Sequence, residues 1–297
     1  MSTSSPVVTY VKGHGTQNDF VVIADPDAQH DLDVDLVTAL CDRQRGIGAD
    51  GVLRVARSGA LVDQGVLDAL PPGVAADDWF MDYRNADGSI AEMCGNGVRV
   101  FAHYLRSAGL VPDDRFTVGS RAGGKPVVVH ASDAVHADVS VEMGAVRIGD
   151  ESTVMVADES FTGLVVDVGN PHLACVVPDL DAERLAAIDF LLGVHIDAAV
   201  FPHGANVELL TPPVRDGGRY LAHMRVFERG VGETRSCGTG LVAAAAAALA
   251  GIGEDSGRLV ITIPGGRVEV TIRPDGAVLR GPSVLVGDGT LRPGWNA

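Results

Sequence analysis

The sequence predicts a mixed fold of the α+β (mixed α/β) class. It has two pseudo-symmetric domains of like topology, each a mostly antiparallel sheet wrapped around a central helix. Three observations carry this. Short β-type runs follow one another across Pro264-Gly265-Gly266 and Pro274-Asp275-Gly276, too close for crossover connections, so neighbouring strands there run antiparallel. Two blocks, Cys94-Gly95-Asn96-Gly97 and Cys237-Gly238-Thr239-Gly240, each open a helical stretch. The run Leu241–Ala250 holds six consecutive alanines and is apolar all round, the pattern of a helix buried on every side and closely approached by a surrounding sheet.

In chain order, the patterns of β-branched and aromatic residues predict strands at Val7–Val11, Phe20–Ala24, Gly51–Ala56, Trp79–Arg84, Pro126–His130 and Val135–Glu142. They continue at Leu164–Val168, Leu173–Val177, Val207–Leu210, Tyr220–Phe227, Leu259–Ile263 and Arg267–Ile272. Helical patterns fall at Asp35–Cys41, Gly97–Ala108, Ala182–Phe190 and Gly240–Ala250. The second of these carries Arg99, His103 and Arg106 and so has a polar side. Arg57–Asp78 reads as a surface excursion between two strands, an extended hairpin.

The chain nearly repeats itself. Asn18-Asp19-Phe20 before a β run is mirrored by Asn170-Pro171-His172, Gly48-Ala49-Asp50 by Gly204-Ala205-Asn206, and the Cys94 block by the Cys237 block. The three pairs keep their order and lie about 150 residues apart. The crossover near Val135–Asp138, with a last strand from about Pro282 returning to the first domain, divides the chain into 1–137 plus 283–297 and 138–282.

The chain has 297 residues, with 23 Lys and Arg against 39 Asp and Glu, a net charge of -16. Such acidity repels phosphate backbones and anionic lipid, which excludes nucleic acid and membrane surfaces as partners. With 46% hydrophobic and 21% charged residues, a disordered chain is excluded too. The N-terminus shows no secretory pattern, and no apolar run reaches the ~20 residues of a membrane span. Four cysteines without CxxC spacing fit a reducing, cytoplasmic setting. Gly46-Ile-Gly48-Ala-Asp-Gly51 fits GxGxxG, but a strand pattern follows where a dinucleotide site needs a helix. No HExxH or close His/Cys cluster implies a metal.

Cys94 and Cys237 each start a helix, where unpaired N–H groups and the helix dipole favour a thiolate and cradle a carboxylate. Two such sites facing each other suit inversion of a stereocentre: a thiolate removes a proton from one face while a thiol supplies one to the other. Cys41 and Cys175 sit inside helix and strand patterns and read as small core hydrophobes. Pyridoxal phosphate would need a Schiff-base lysine, and only Lys12 and Lys125 exist. A structural disulfide, a dithiol redox protein and a non-catalytic amino-acid-binding protein remain open on these residues alone.

The stretch Asn85-Ala-Asp-Gly-Ser-Ile-Ala-Glu-Met-Cys94-Gly-Asn-Gly-Val-Arg99 resembles the signature of the diaminopimelate epimerase family. Gly15–Phe20, Gly46–Asp50, Gly169–His172, Ala205–Glu208 and Glu228–Gly240 resemble its other blocks, in order. The resemblance implies a pyridoxal-phosphate-independent epimerase of LL- and meso-2,6-diaminopimelate that needs no cofactor and supplies lysine and cell-wall precursors, with its active site in the cleft between the two pseudo-symmetric domains, commonly as a homodimer. By motif position, Cys94 and Cys237 would be the acid/base pair, and Gly95-Asn96 and Gly238-Thr239 would bind the reacting carboxylate. Asn18, Asn85, Asn170, Asn206, Glu228 and Arg229 would hold the distal end, and His172 and Glu228 would assist catalysis. An Arg fork suits the distal carboxylate; a proline-type substrate would leave Arg229 unpaired. Some relatives carry Gln where this chain has Gly51, and the Arg57–Asp78 excursion is no part of the pattern.

Overall fold

A computed structural model describes residues 8–296; Val7, which opens the first predicted strand, and Met1–Pro6 lie outside them. The chain divides into two compact units, Met1–Val141 with Pro282–Ala297, and Glu142–Gly281.

The first unit contains β1 (Thr9–Gly15), β2 (Asn18–Ala24), α1 (Val34–Cys41), β3 (Gly51–Arg57), α2 (Ser58–Asp63), β4 (Trp79–Asn85), α3 (Gly95–Ser107), β5 (Arg115–Val118) and β6 (Lys125–Ser132). Strand β7 (His136–Gly144) leads out of it. The second contains β8 (Arg147–Val156), β9 (Glu159–Asp167), β10 (Pro171–Val176), α4 (Ala182–Ala187), β11 (Val194–Ile196), β12 (Asn206–Leu210), β13 (Val214–Asp216) and β14 (Arg219–Glu228). It goes on through β15 (Gly232–Thr234), α5 (Gly238–Gly251), β16 (Gly257–Ile263) and β17 (Gly266–Arg273), and β18 (Gly276–Thr290) returns to the first unit.

The sequence repeat is a repeat of topology. In the first unit β1 and β2 are antiparallel, β2 and β3 parallel, β3 and β4 antiparallel, and α3 follows. In the second, β9 and β10 are antiparallel, β10 and β12 parallel, β12 and β14 antiparallel, and α5 follows. Antiparallel ladders complete each: β5 with β6 and β6 with β7 in one, β16 with β17 and β17 with β18 in the other. The predicted mostly antiparallel character therefore holds, with a parallel step recurring at the same place in each unit and a further parallel pair, β14 with β16, in the second.

Each sheet packs around its helix. Alternate residues of β16 and β17, among them Leu259, Ile261, Val268 and Val270, are buried, and α5 packs on β9, β10, β12, β16 and β17. All of Leu241–Leu249 is buried; with only a Cβ at six of these positions, the strands approach the helix axis closely. Helix α3 packs on β1, β2, β3, β4 and β6. Its expected polar side is solvated only at its end: Arg106 is partly exposed and pairs with Asp114, whereas Arg99 and His103 are fully buried. Arg99 donates to Thr16 Oγ1 at 3.1 Å, Asn96 Oδ1 at 2.9 Å and the Pro282 carbonyl at 3.3 Å. His103 is bonded to Ser283 Oγ and the Asp133 carbonyl. Buried polar groups are tolerable only when satisfied in this way.

Strands β5, β8, β11, β13 and β15 lie outside the predicted set, and three further elements differ from expectation. The Arg57–Asp78 excursion is not a hairpin: it holds α2 and turns, and Leu61, Leu67 and Val74 form a satellite core with Ala28, Ala56 and Phe80. The helix expected over Ala182–Phe190 ends at Ala187; Ile188 is extended, and a separate 3₁₀ turn covers Phe190–Leu192. Strand β18 runs unbroken through Gly281 and Pro282.

Candidate active site

In the first unit, Cys94 caps α3. Its backbone is extended (φ -142°, ψ 118°), and its Sγ accepts the Gly97 N–H at 3.5 Å. Glycines at 95 and 97 bring the backbone of this first turn close to the thiol, while Asn96 is buried. Asn18, at the start of β2, lies with its Oδ1 3.5 Å from Cys94 Sγ and accepts from Asn96 Nδ2 at 3.2 Å. Its orientation is fixed from behind. Asn18 Nδ2 donates to Asp50 Oδ2 at 2.7 Å, and a carboxylate only accepts, so the carbonyl end must face the cysteine. Asp50 is itself held by Arg43 at 2.7 Å. The Arg99 guanidinium, one turn along α3, attracts negative charge at Cys94; burial lowers its own pKa to about 10.

In the second unit, Cys237 caps α5 in the same extended conformation (φ -125°, ψ 118°). Asn206 Nδ2 donates to its Sγ at 3.9 Å, and Thr239 Oγ1 lies 3.6 Å away. Here too the amide is oriented from behind: Asn206 Oδ1 accepts the Arg229 N–H at 2.9 Å, which turns the NH₂ toward sulfur. Arg229 NH1 reaches the His203 carbonyl at 3.2 Å. His172 is fully buried; its Nδ1 lies 2.8 Å from Glu208 Oε1 and its Nε2 3.1 Å from Asn170 Oδ1. Glu228 takes the Thr234 hydroxyl across the β14–β15 hairpin.

The structure thus joins Asn18 to Cys94 and Asn96 to Asn18, joins Asn206 and Thr239 to Cys237, and links Asn206 to Arg229 and Asn170 to His172. Asn85 is engaged elsewhere, in its own turn, donating to Ser89 Oγ at 3.0 Å. One electrostatic expectation needs correction. A helix N-terminus favours a thiolate, but burial pushes the Cys237 thiol well up, and the nearby Glu228 and Glu208 carboxyls add to the rise. Cys41 and Cys175 are buried, and burial first pushes their thiols up to about 11 and about 12.

Sequence reasoning gave no role to Asp50, Arg99 or Glu208, which stand directly behind the named residues. Glu208 carried a readable signal: it is two residues past Asn206 on a strand, hence on the same face. At Gly51 a Cβ would meet the Arg84 carbonyl at 2.4 Å, so this backbone leaves no room for the side chain that some relatives carry. Gly51 opens β3 directly, which is incompatible with the GxGxxG reading. Among the described residues, no group of three or more His, Cys, Asp or Glu is arranged to hold a metal ion, and no helix is long and apolar enough to cross a membrane.

The fold is shared with solved structures of low sequence identity. A predicted epimerase from Pseudomonas aeruginosa superposes with a TM-score of 0.66 at 16% identity, covering 96% of this chain and 99% of that one. A hydroxyproline epimerase from Agrobacterium vitis, with bound trans-4-hydroxy-L-proline, gives 0.59 at 14%, covering 96% and 92%. Sequence similarity is far closer elsewhere. The chain is 60% identical over 286 residues to a diaminopimelate epimerase from Rhodococcus erythropolis, covering 96% of this chain and 97% of that protein. It is 57% identical over 290 residues to one from Mycolicibacterium paratuberculosis, again covering 96% and 97%. The diaminopimelate epimerase family model matches residues 10–149 and 164–286, a span that takes in both cysteine-capped helices and the recurring parallel pairs β2–β3 and β10–β12. The chain therefore belongs to the diaminopimelate epimerase family of isomerases.

Proposed function

We propose that this chain interconverts LL- and meso-2,6-diaminopimelate without a cofactor, with Cys94 and Cys237 as its acid/base pair. One observation carries the reading: each thiol has partners suited to both of its protonation states. Cys94 has the Gly97 N–H as a donor for a thiolate and Asn18 Oδ1 as an acceptor for a thiol. Cys237 has Asn206 Nδ2 as a donor and the Thr239 hydroxyl, which can donate or accept. A reversible epimerase needs this, because its two bases exchange roles with direction.

In the forward step a thiolate takes the α-hydrogen as a proton, and the electron pair of the broken C–H bond delocalises into the adjacent carboxylate. The opposite thiol then delivers its proton to the other face of the same carbon. One thiol is gained and one lost, so the proton count closes without an external acid. The Gly95-Asn96 and Gly238-Thr239 backbone would hold the reacting carboxylate at the positive helix ends, where stabilisation grows as charge develops. Asn18, Asn85, Asn170, Asn206, Glu228 and Arg229 would hold the distal ammonium and carboxylate, and His172 and Glu228 would assist catalysis. Cofactor independence is supported by the scarcity of amines: Lys12 is committed to Asp19 and the Gly48 carbonyl. A cytoplasmic homodimer serving lysine and cell-wall precursor synthesis completes the proposal.

Chiral separation after incubation with LL-diaminopimelate tests it. With hydroxylamine present to trap any carbonyl cofactor, meso product accumulates undiminished, and L-proline is not racemised. Loss of turnover under hydroxylamine, or turnover of proline alone, would overturn the reading.

A further inference from the structure

The second half of the site rests on a buried acid with no role in the reaction just described. Glu208 leaves β12 on the face that α5 covers, the same face as Asn206. Strand β10 lies parallel to β12, with His172 opposite Asn206 and Ala174 opposite Glu208. The small Ala174 leaves His172 room to reach diagonally to Glu208, and both side chains are completely buried. Glu208 Oε2 is buried and has no hydrogen-bond partner among the described residues. From the helix side, a Cβ at Gly240 would lie 2.6 Å from Glu208 Oε1 and 3.3 Å from Cys237 Cβ. The carboxyl therefore lies against the first turn of α5, beside the thiol that caps it.

Full ionisation is costly there, since one oxygen would be left unsolvated. The titratable groups facing Glu208 are His172 and Cys175 from β10, Glu228 from β14 and Cys237 from α5. Burial pushes the Glu208 carboxyl up, His172 offsets part of the rise, and Glu228 adds to it. His172 Nε2 donates to Asn170 Oδ1, which leaves one further proton to lie between Nδ1 and Oε1.

We propose that Glu208 is a positioning residue for the Cys237 half of the site: it shares one proton with His172, which fixes the imidazole and withholds a second full negative charge from Cys237 while that thiol ionises. The pair is neutral overall, and its proton count does not change during turnover. Loss of the shared proton at higher pH leaves a carboxylate facing Glu228 and Cys237, so ionising Cys237 becomes harder and the rate falls. The requirement for Gly240 follows as well, since any side chain there displaces the carboxyl. This inference rests on the reading that Cys237 reacts.

The test is the pH dependence of kcat with LL-diaminopimelate for the full chain and its Glu208→Gln and Glu208→Ala variants. Glu208→Ala is expected to lower kcat about thirtyfold, the loss of one buried, charge-assisted hydrogen bond, with KM changed less than about twofold. Glu208→Gln recovers most of that loss at neutral pH, because a neutral amide still bonds His172, and it moves the alkaline fall of the parent chain to higher pH, where ionisation of the proton-donating thiol alone sets it. An unchanged alkaline fall in Glu208→Gln would overturn the proposal, as would a Glu208→Gln variant that folds but is as slow as Glu208→Ala. If Glu208→Ala does not fold, the Glu208→Gln profile decides alone. Cys237→Ser, assayed alongside, separates the two readings: if it stays active, the role of Cys237 fails. If it is inactive and Glu208→Gln keeps the alkaline fall at the pH of the parent chain, only the role of Glu208 fails.

Discussion

Cys94→Ser and Cys237→Ser each lower the epimerisation kcat by about a thousandfold while leaving the melting temperature unchanged. Serine fills nearly the same space, so α3 and α5 keep their caps. Its hydroxyl does not ionise near neutral pH, so neither proton removal nor the reverse protonation survives at that face. The double variant is expected to fall little further than either single one, because groups that act as one unit do not contribute additively. Chiral assay of purified variants with matched circular dichroism spectra checks this. A single variant keeping more than about a tenth of the parent rate contradicts the pairing.

The largest effect on stability is expected at Asp82. It lies on β4 directly opposite Arg54 on β3, is fully buried, and also accepts from Arg84 at 3.2 Å and Arg121 at 2.6 Å. Arg54 is 2% exposed, and Asp82→Ala leaves it only Asp25 at 3.5 Å and the His30 carbonyl at 2.9 Å, so losing its nearest counter-charge costs about 3 kcal/mol. By contrast, Glu159→Ala breaks the half-exposed pair with Arg184 and costs about 1 kcal/mol or less. Burial alone would raise the Asp82 carboxyl, but Arg54, Arg121 and Arg84 outweigh it, and its pKa is lowered. A depressed carboxylate contributes stability that is complete above the unfolded pKa of about 3.9 and is lost as pH falls through the folded value. The difference between the parent chain and Asp82→Ala in urea unfolding should thus be constant from neutral pH to about pH 4 and shrink only below it. A difference under about 1 kcal/mol at neutral pH would show that the network is not needed.

What the sequence made legible was local. Helix α5 announces itself through six alanines between a CGTG start and the Gly251 end, and both thiols through a block that occurs twice. Strand β8 was missed because Arg147-Ile148-Gly149-Asp150-Glu151 reads as a polar loop, and its burial alternates only from Ser152 onward. Strand β18 was shortened because glycines and Pro282 normally end a strand, yet here the chain runs straight through them. The polar residues of α3 looked solvent-facing because nothing local reveals that Thr16, Asp133 and Ser283 would satisfy them. Glu208 escaped for the same reason: its partner His172 is 36 residues away, joined to it only by a parallel strand pairing. Asp50 and Arg99 likewise act on Asn18 and Asn96 through long-range or one-turn contacts that a motif does not display.

The central claim, two thiols working on opposite faces of one carbon, is tested most directly by early-time turnover of LL-diaminopimelate in D₂O. Product and remaining substrate are separated and each examined by NMR for deuterium at the α-carbons. The account predicts deuterium at one α-carbon of the meso product and essentially none in the recovered LL isomer, because the proton delivered comes from a solvent-exchanged thiol on the far face. Deuterium entering recovered substrate and product at equal rates would contradict it, since a single base serving both faces would label both.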